Sequence, residues 1–355
     1  MFENSKLKSL VAAAALAASA VAVQAETIDA TIVAGHPPVF RWVKHASQTF
    51  IPAVNKALEG TDYTIKWDEQ YGGSLAKVGD ELEATEEGLA QVGLVSSVFD
   101  PAKLSLQNVS YYTPFVSSDP ALVANTVDSL HSTNANMKAT WEENGLEYLG
   151  GPTAIDDYLL MTTFPINSID DLKGKKIGAP GPAVNWLAGT GAVGVSGNLT
   201  TYYNEIKTGV YDGVIVFATA ALPGKLYEVA PYVTKVGFGA QYAGAMAANK
   251  DWYDEQPEAV QKALKAGGEA FKAAYLADLG AAVEAGLKAM SEQGATITEV
   301  DDEFRQKWAA GMDNVAQTWA KQVDGEGKAG TEILKAYMDA IRAAGGKPVR
   351  DWDQE

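Results

Sequence analysis

Apolar residues along this chain switch repeatedly between a period of two and a period near 3.6, and that alternation limits the fold more than any other feature. Thr27–Ala34, Asp62–Asp68 and Gln91–Val98 read as strands. Between them, Val43, Ala46, Phe50, Val54 and Leu58 fall at helical spacing over Val39–Leu58, and Asp80–Ala90 reads as a helix with an acidic outer face. Pro120–Asn144 reads as one helix stopped by Gly145. This order predicts a parallel sheet with helices on both faces. A second unit follows, with strands at Tyr158–Thr163, Lys176–Ala179 and Ala243–Ala248. Its helices fall at Pro182–Ala188 and Thr200–Thr208, between short strands, and, interrupted by Pro223-Gly224, at Thr219–Glu228. From Pro257 the texture changes: Val260, Leu264, Phe271, Tyr275, Leu279, Val283 and Leu287 lie along one face of a very long helix. A strand at Thr296–Val300 and helices near Asp302–Val323 and Gly330–Ala344 finish the chain. The expected fold class is α/β, as two units that share the later chain.

The first 25 residues read as an address rather than a fold. Lys6 and Lys8 precede the apolar run Leu10–Val23, and Val23-Gln24-Ala25 is a small-x-small cleavage site. That is the pattern of a secretory signal peptide, cleaved after Ala25, and the run is too short to span a bilayer comfortably. The mature protein is expected in an extracytoplasmic space, most simply a periplasm.

Composition removes several chemistries. The 355 residues contain 45 Asp+Glu, 28 Lys+Arg and no cysteine, a formal charge of −17. Nucleic acid is not an expected partner, because phosphate neutralisation needs a basic face. Without cysteine there are no disulfides, thiolate zinc sites, iron–sulfur ligands or thiol nucleophiles. His36, His45 and His131 lack HxH or HExxH spacing, so no metal is expected. Gly189-Thr190-Gly191-Ala192-Val193-Gly194 matches GxGxxG, but it follows a helix rather than a strand and reads as a Gly-rich turn. Neither a nucleotide nor any other cofactor is expected.

In α/β units ligands bind beyond the carboxyl ends of strands and between domains. The mouth is therefore expected at Gly35–Trp42, Gln70–Ser74, Ser96–Phe99, Gly178–Trp186 and Phe217–Ala221. Apart from His36, no base there stands beside a nucleophile. Aromatics, small residues and hydroxyls dominate, which suits binding better than reaction.

Four stretches carry a family resemblance. Asp171-Leu172-Lys173-Gly174-Lys175-Lys176-Ile177 resembles the D-L-K-G-x-K-I segment of TRAP transporter solute-binding proteins of the dicarboxylate-binding DctP type. Ile206-Lys207-Thr208-Gly209-Val210-Tyr211-Asp212-Gly213 is similar to their L-Q-T-G-V-x-D-G segment. Gly73–Gly88 followed by Val92-Gly93 resembles an early glycine-spaced stretch, and Trp252 with Pro257-Glu258-Ala259-Val260-Gln261 resembles the entry to their long helix. The four occur in order over nearly the whole mature chain. The resemblance implies a two-lobed periplasmic binding protein fold, type II-like, with the helix Pro257–Gly294 running across both lobes. Lobe I is expected at 26–154 and 238–282, lobe II at 155–237 and 283–355. The implied protein is a monomer and not an enzyme; it captures an organic acid and hands it to membrane subunits.

One departure shapes the expected ligand. The family segment usually continues with an arginine that pairs with the ligand carboxylate; here that position is Gly178. A second basic position falls near Tyr158, and Val214, Ile215 and Val216 stand where polar residues follow D-G. Gly178 is expected to clear space, and an aromatic or apolar monocarboxylate is favoured over a dicarboxylate. Candidate walls are Phe40, Trp42, Phe115, Tyr158, Trp186, Tyr202, Tyr203 and Phe217, each also a candidate for lobe core. Of four arginines, Arg41 alone lies near the expected mouth, at a helix start, and is the candidate carboxylate anchor. His36, Gln70, Ser96 and Ser97 are candidate hydrogen-bonding groups. Two alternatives stay open: an ABC-type binding protein, and an extracytoplasmic lyase or hydrolase using His36 and Tyr158.

Overall fold

A computed structural model of the protein describes residues 25–355. All of the expected export segment except Ala25 lies outside them. The strands are β1 (Glu26–Ala34), β2 (Tyr63–Tyr71), β3 (Val92–Val95), β4 (Leu146–Gly150), β5 (Ala154–Ile155), β6 (Tyr158–Thr162), β7 (Lys176–Ala179), β8 (Val193–Ser196), β9 (Gly213–Phe217), β10 (Tyr232–Lys235), β11 (Gln241–Tyr242), β12 (Ala245–Asn249) and β13 (Thr296–Glu299). They form one sheet in the order β2-β1-β3-β12-β4, another in the order β13-β10-β6-β9-β7-β8, and the short pair β11-β5.

The sheets are mixed rather than parallel. β1 runs parallel to β2 and β3, but β12 is antiparallel to both β3 and β4. In the second sheet β7 is parallel to β8 and β9, whereas β6 is antiparallel to β9 and β10. The cause lies where the chain crosses between sheets. β5 leads out and β11 leads back, paired antiparallel through Ile155–Gln241 and Ala154–Tyr242. The strands they feed, β6 and β12, therefore run against their neighbours.

Strands β8 and β9 occupy the places where short strands are expected between helices, whereas β4, β5, β10 and β11 have no counterpart in the periodicity. β4 is buried at every residue, so it carries no polar alternation to detect. Two expected helices are each broken by an asparagine. Asn134 is extended and its side chain caps Ala135–Glu142, which separates that helix from Pro120–Thr133. Asn314 caps Val315–Gly325 after Asp302–Gly311 in the same way.

The long helix spans Glu258–Glu292. Val260, Leu264, Phe271 and Tyr275 are buried, and this half packs on the first helical segment and on β4. The other half packs on the short helix Ala218–Ala221 beside the second sheet. One rod thus braces both sheets. The C-terminal helices depart from the expected lobe division. Val315–Gly325 and Gly330–Ala343 pack against Ser105–Tyr112, and the second of them also against Pro120–Thr133, on the first unit rather than the second. Among the described residues no helix is long and apolar enough to cross a membrane.

Candidate functional site

The carboxyl ends of β1, β3, β7, β8 and β9 converge on one cavity between the sheets. Its wall combines His36, Trp42, Ser96, Val98 and Phe99 from the first unit with Tyr158, Pro180, Asn198, Tyr202 and Phe217 from the second. The free space is about 40 Å³, room for a few waters. The units touch across it: the Trp42 and Phe217 rings lie 6.0 Å apart. A Cβ added at Gly181, which follows β7, would stand 2.1 Å from the Val98 carbonyl oxygen. Admitting an organic solute therefore requires the units to part.

His36 is held from behind. The Glu81 carboxylate accepts hydrogen bonds from the Gly35 amide (3.0 Å) and the Gly79 amide (2.7 Å), tying the loop after β1 to the turn that follows β2. Gly35 has no room for a side chain, since a Cβ would meet the Val78 amide nitrogen at 2.4 Å. Burial pushes the Glu81 carboxyl up to about 7, against the pull of those two amides. The His36 ring meets Trp42 edge-on at 5.3 Å and Phe40 at 5.5 Å. Burial lowers its pKa to about 4, so it is neutral at neutral pH, and Nε2 has no partner in the protein.

The opposite wall is phenolic. The Tyr158 and Tyr111 hydroxyls lie 2.8 Å apart, and the Tyr158 ring packs edge-on against Phe217 at 5.2 Å. The Tyr202 hydroxyl is buried without a partner, and burial raises its pKa well above the usual range, so it remains a donor. Asn198 accepts from the Thr200 amide and hydroxyl through Oδ1 (3.0 and 2.6 Å), which leaves its NH₂ group free to donate. No Lys, Arg, Asp or Glu is among the lining residues described. Nor does any base there stand within hydrogen-bond reach of a nucleophile, so the wall can hold a molecule but has no evident means of reacting with it.

The expected site residues separate into three groups. His36, Trp42, Ser96, Tyr158, Tyr202 and Phe217 line the cavity together. Phe40 and Trp186 stand one layer behind: Phe40 stacks on Trp42 at 5.0 Å, and the Trp186 indole donates to the Tyr111 carbonyl at 2.7 Å. Ser97 is buried beside Ser96, its hydroxyl unpartnered. The others lie elsewhere. Arg41 is paired with Asp278 of the long helix, because its helix turns the guanidinium outward onto that carboxylate. Gln70 donates to Asp68 on an edge strand. Tyr203 donates to Glu228 on the outer surface, and Phe115 packs on Phe238 away from the cavity.

Gly178 does not open space for a ligand. A Cβ there would lie 2.8 Å from Cε2 of Tyr211 and 3.2 Å from Cγ1 of Val214. A Cβ added at Gly197 would lie 2.8 Å from the hydroxyl of the same Tyr211. The room left by the missing side chain is filled by Tyr211. Tyr111, Thr153, Asn198 and Ala243 line the cavity without having been singled out. Asn198 follows β8, the short strand entered from the Gly-rich turn. Gly189 and Gly191 of the GxGxxG match do form that turn, with φ of +80° and +74°.

The sequence model of bacterial extracellular solute-binding protein family 7 (DctP) matches residues 38–322. A search of curated protein sequences found no match. Among solved structures, the periplasmic ectoine-binding protein of the Halomonas elongata TeaABC TRAP transporter is similar at 21% identity and a TM-score of 0.75, covering 89% of this chain and 100% of that one. A Bordetella pertussis extracytoplasmic solute receptor binding pyroglutamic acid is similar at 18% identity and 0.74, covering 89% and 99%. A TRAP periplasmic solute-binding protein of Sulfitobacter sp. NAS-14.1 with bound β-D-galacturonate is similar at 19% identity and 0.74, covering 88% and 100%. At these identities the likeness establishes the two-lobed fold.

Proposed function

From the premise that this chain belongs to the bacterial extracellular solute-binding protein family 7, whose members are receptors rather than enzymes, we propose that it captures an organic solute for a TRAP transporter. The observation that carries this reading is the aromatic cavity at the carboxyl ends of strands from both sheets, furnished with hydrogen-bonding groups. The solute enters when the two units part, is covered when they close, and is delivered to membrane subunits. Residues 1–25 direct export and are removed after Ala25. The mature protein acts in the periplasm as a monomer.

The walls suit a flat, apolar molecular body, which is the part of the expected aromatic or apolar monocarboxylate that the cavity supports; the lining described holds no cation to meet its carboxylate. That relatives of the fold hold pyroglutamate, galacturonate and ectoine supports a small organic solute as the ligand. Thermal unfolding of ligand-stripped protein against aromatic and aliphatic acids, sugar acids and neutral or zwitterionic solutes tests the reading. A true ligand at about 1,000 times its Kd stabilises by about 4 kcal/mol, a shift of several degrees. Conversion of a ligand to product would count against a receptor. Mass spectrometry of the periplasmic form reads the cleavage site directly.

A further inference from the structure

We infer that the solute presents no net negative charge to this cavity: it is an electrically neutral, hydrogen-bonding molecule with a flat apolar body. This rests on the receptor reading above. A carboxylate taken out of water is held best by a cation, because hydrogen bonds from neutral groups offset its desolvation less fully. Among the described residues the cavity wall supplies no lysine and no arginine. The chain has four arginines, and each is held by carboxylates elsewhere: Arg41 by Asp278, Arg305 by Glu299 and Asp302, Arg342 by Asp339, Asp351 and Asp353, and Arg350 by Glu355.

The ionisable groups that do stand close carry the other sign. Asp156 is buried between the lining residues Ile155 and Tyr158 and is bonded to Thr219. Asp100 follows the lining residue Phe99 and has a buried, unpartnered Oδ2. Neither aspartate lines the cavity, and neither could pair with a ligand carboxylate. What the wall does offer is neutral: the unpartnered His36 Nε2 and Tyr202 hydroxyl from opposite units, and the free NH₂ of Asn198. His36 and Tyr202 are buried and unsatisfied, which points to a polar partner that the protein does not itself provide. Hydrogen bonds to uncharged groups suit such a site, and the aromatic walls hold the rest of the molecule.

The test uses the whole mature protein, stripped of ligand by unfolding and refolding. A small-molecule extract is divided on an anion exchanger at pH 7 into a retained anionic pool and a neutral flow-through. Each pool is tested for thermal protection, and the protected species is identified by mass spectrometry. Matched pairs, benzoate with benzamide and phenylacetate with phenylacetamide, are titrated by calorimetry alongside. Protection by the flow-through, with amides binding at least tenfold tighter than their acids, is the expected result. Replacing His36→Phe and Tyr202→Phe should then abolish the protection in a protein that remains folded. Protection confined to the anionic pool, or acids binding tighter than amides, overturns the inference and leaves the receptor reading intact. Protection by neither pool, in protein shown to be folded, removes the receptor reading and this inference together.

Discussion

Gly178 illustrates how a missing side chain can be misjudged. An absent arginine suggests an enlarged pocket, yet its volume belongs to the ring of Tyr211, packed against Gly178 and Gly197. Gly178→Ala should therefore destabilise the protein by about 1–3 kcal/mol, read from urea unfolding. Tyr211→Ala should cost less in that background than alone, because the two groups compete for one space. Arg41 carries the converse lesson. Its pair with Asp278 is about one third exposed on both sides and is worth about 0–1 kcal/mol. Arg41→Ala should leave solute affinity unchanged; a large loss in calorimetry would return Arg41 to the binding site. Glu81 supplies a pH signature. Its folded pKa, about 7, lies above the ordinary 4.5, so its contribution to stability is complete below pH 4.5 and is lost as pH rises through 7. The stability of the parent protein relative to Glu81→Gln should fall between pH 4.5 and 7, by at most about 1.4 kcal/mol per pH unit. A difference between their urea midpoints that does not change from pH 5 to pH 8 would sink this account. His36 and His131 act oppositely in both proteins: their pKa values are lowered to about 4, so their contribution is lost as pH falls from 6.5 through 4.

The helix Glu258–Glu292 is the element on which the two units are hung, and its glycines set how closely it lies. At Gly268 a Cβ would stand 1.9 Å from the Leu149 carbonyl oxygen at the end of β4. At Gly267 it would stand 2.5 Å from Cγ2 of Val54 in the first helical segment. A glycine-to-alanine change inside a helix ordinarily gains about 1 kcal/mol. Here the backbone carbonyl cannot yield, and overpacking costs about 1–3 kcal/mol or more, so the clash decides the sign. Gly268→Ala should lower Tm, whereas Gly280→Ala, with nothing within 4 Å, should raise it or leave it unchanged. Equal responses in calorimetric scans would mean that the helix can shift along β4 at little cost.

In the protein as a whole, closure and cavity are one feature, because Val98, which lines the cavity, and Gly181, beside the lining residue Pro180, meet from opposite units. Gly181 has a φ of +46°, and a side chain there would strike the Val98 carbonyl. Gly181→Ala should keep the units from closing fully, weakening the solute by roughly tenfold, or about 1.4 kcal/mol, and reducing ligand-induced compaction in small-angle scattering. Unchanged affinity would show that the contact is incidental. Much of this organisation could be read from residue order. Strand and helix periods over Thr27–Ala34, Lys176–Ala179 and Val260–Leu279 are local properties of the chain, as are four motifs with fixed spacing, and together they suffice for the two-unit fold and the family. The mouth regions after β1, β3, β7 and β9 followed from strand ends alone, and His36, Ser96, Tyr158 and Phe217 do meet there. Partner choice did not follow. Arg41 turns to Asp278, 237 residues away, Tyr211 fills the place beside Gly178, and Asn198 and Tyr111 reach the cavity from segments with no marked period. Those outcomes depend on which surfaces are pressed together when distant elements pack, and no local pattern of residues encodes that.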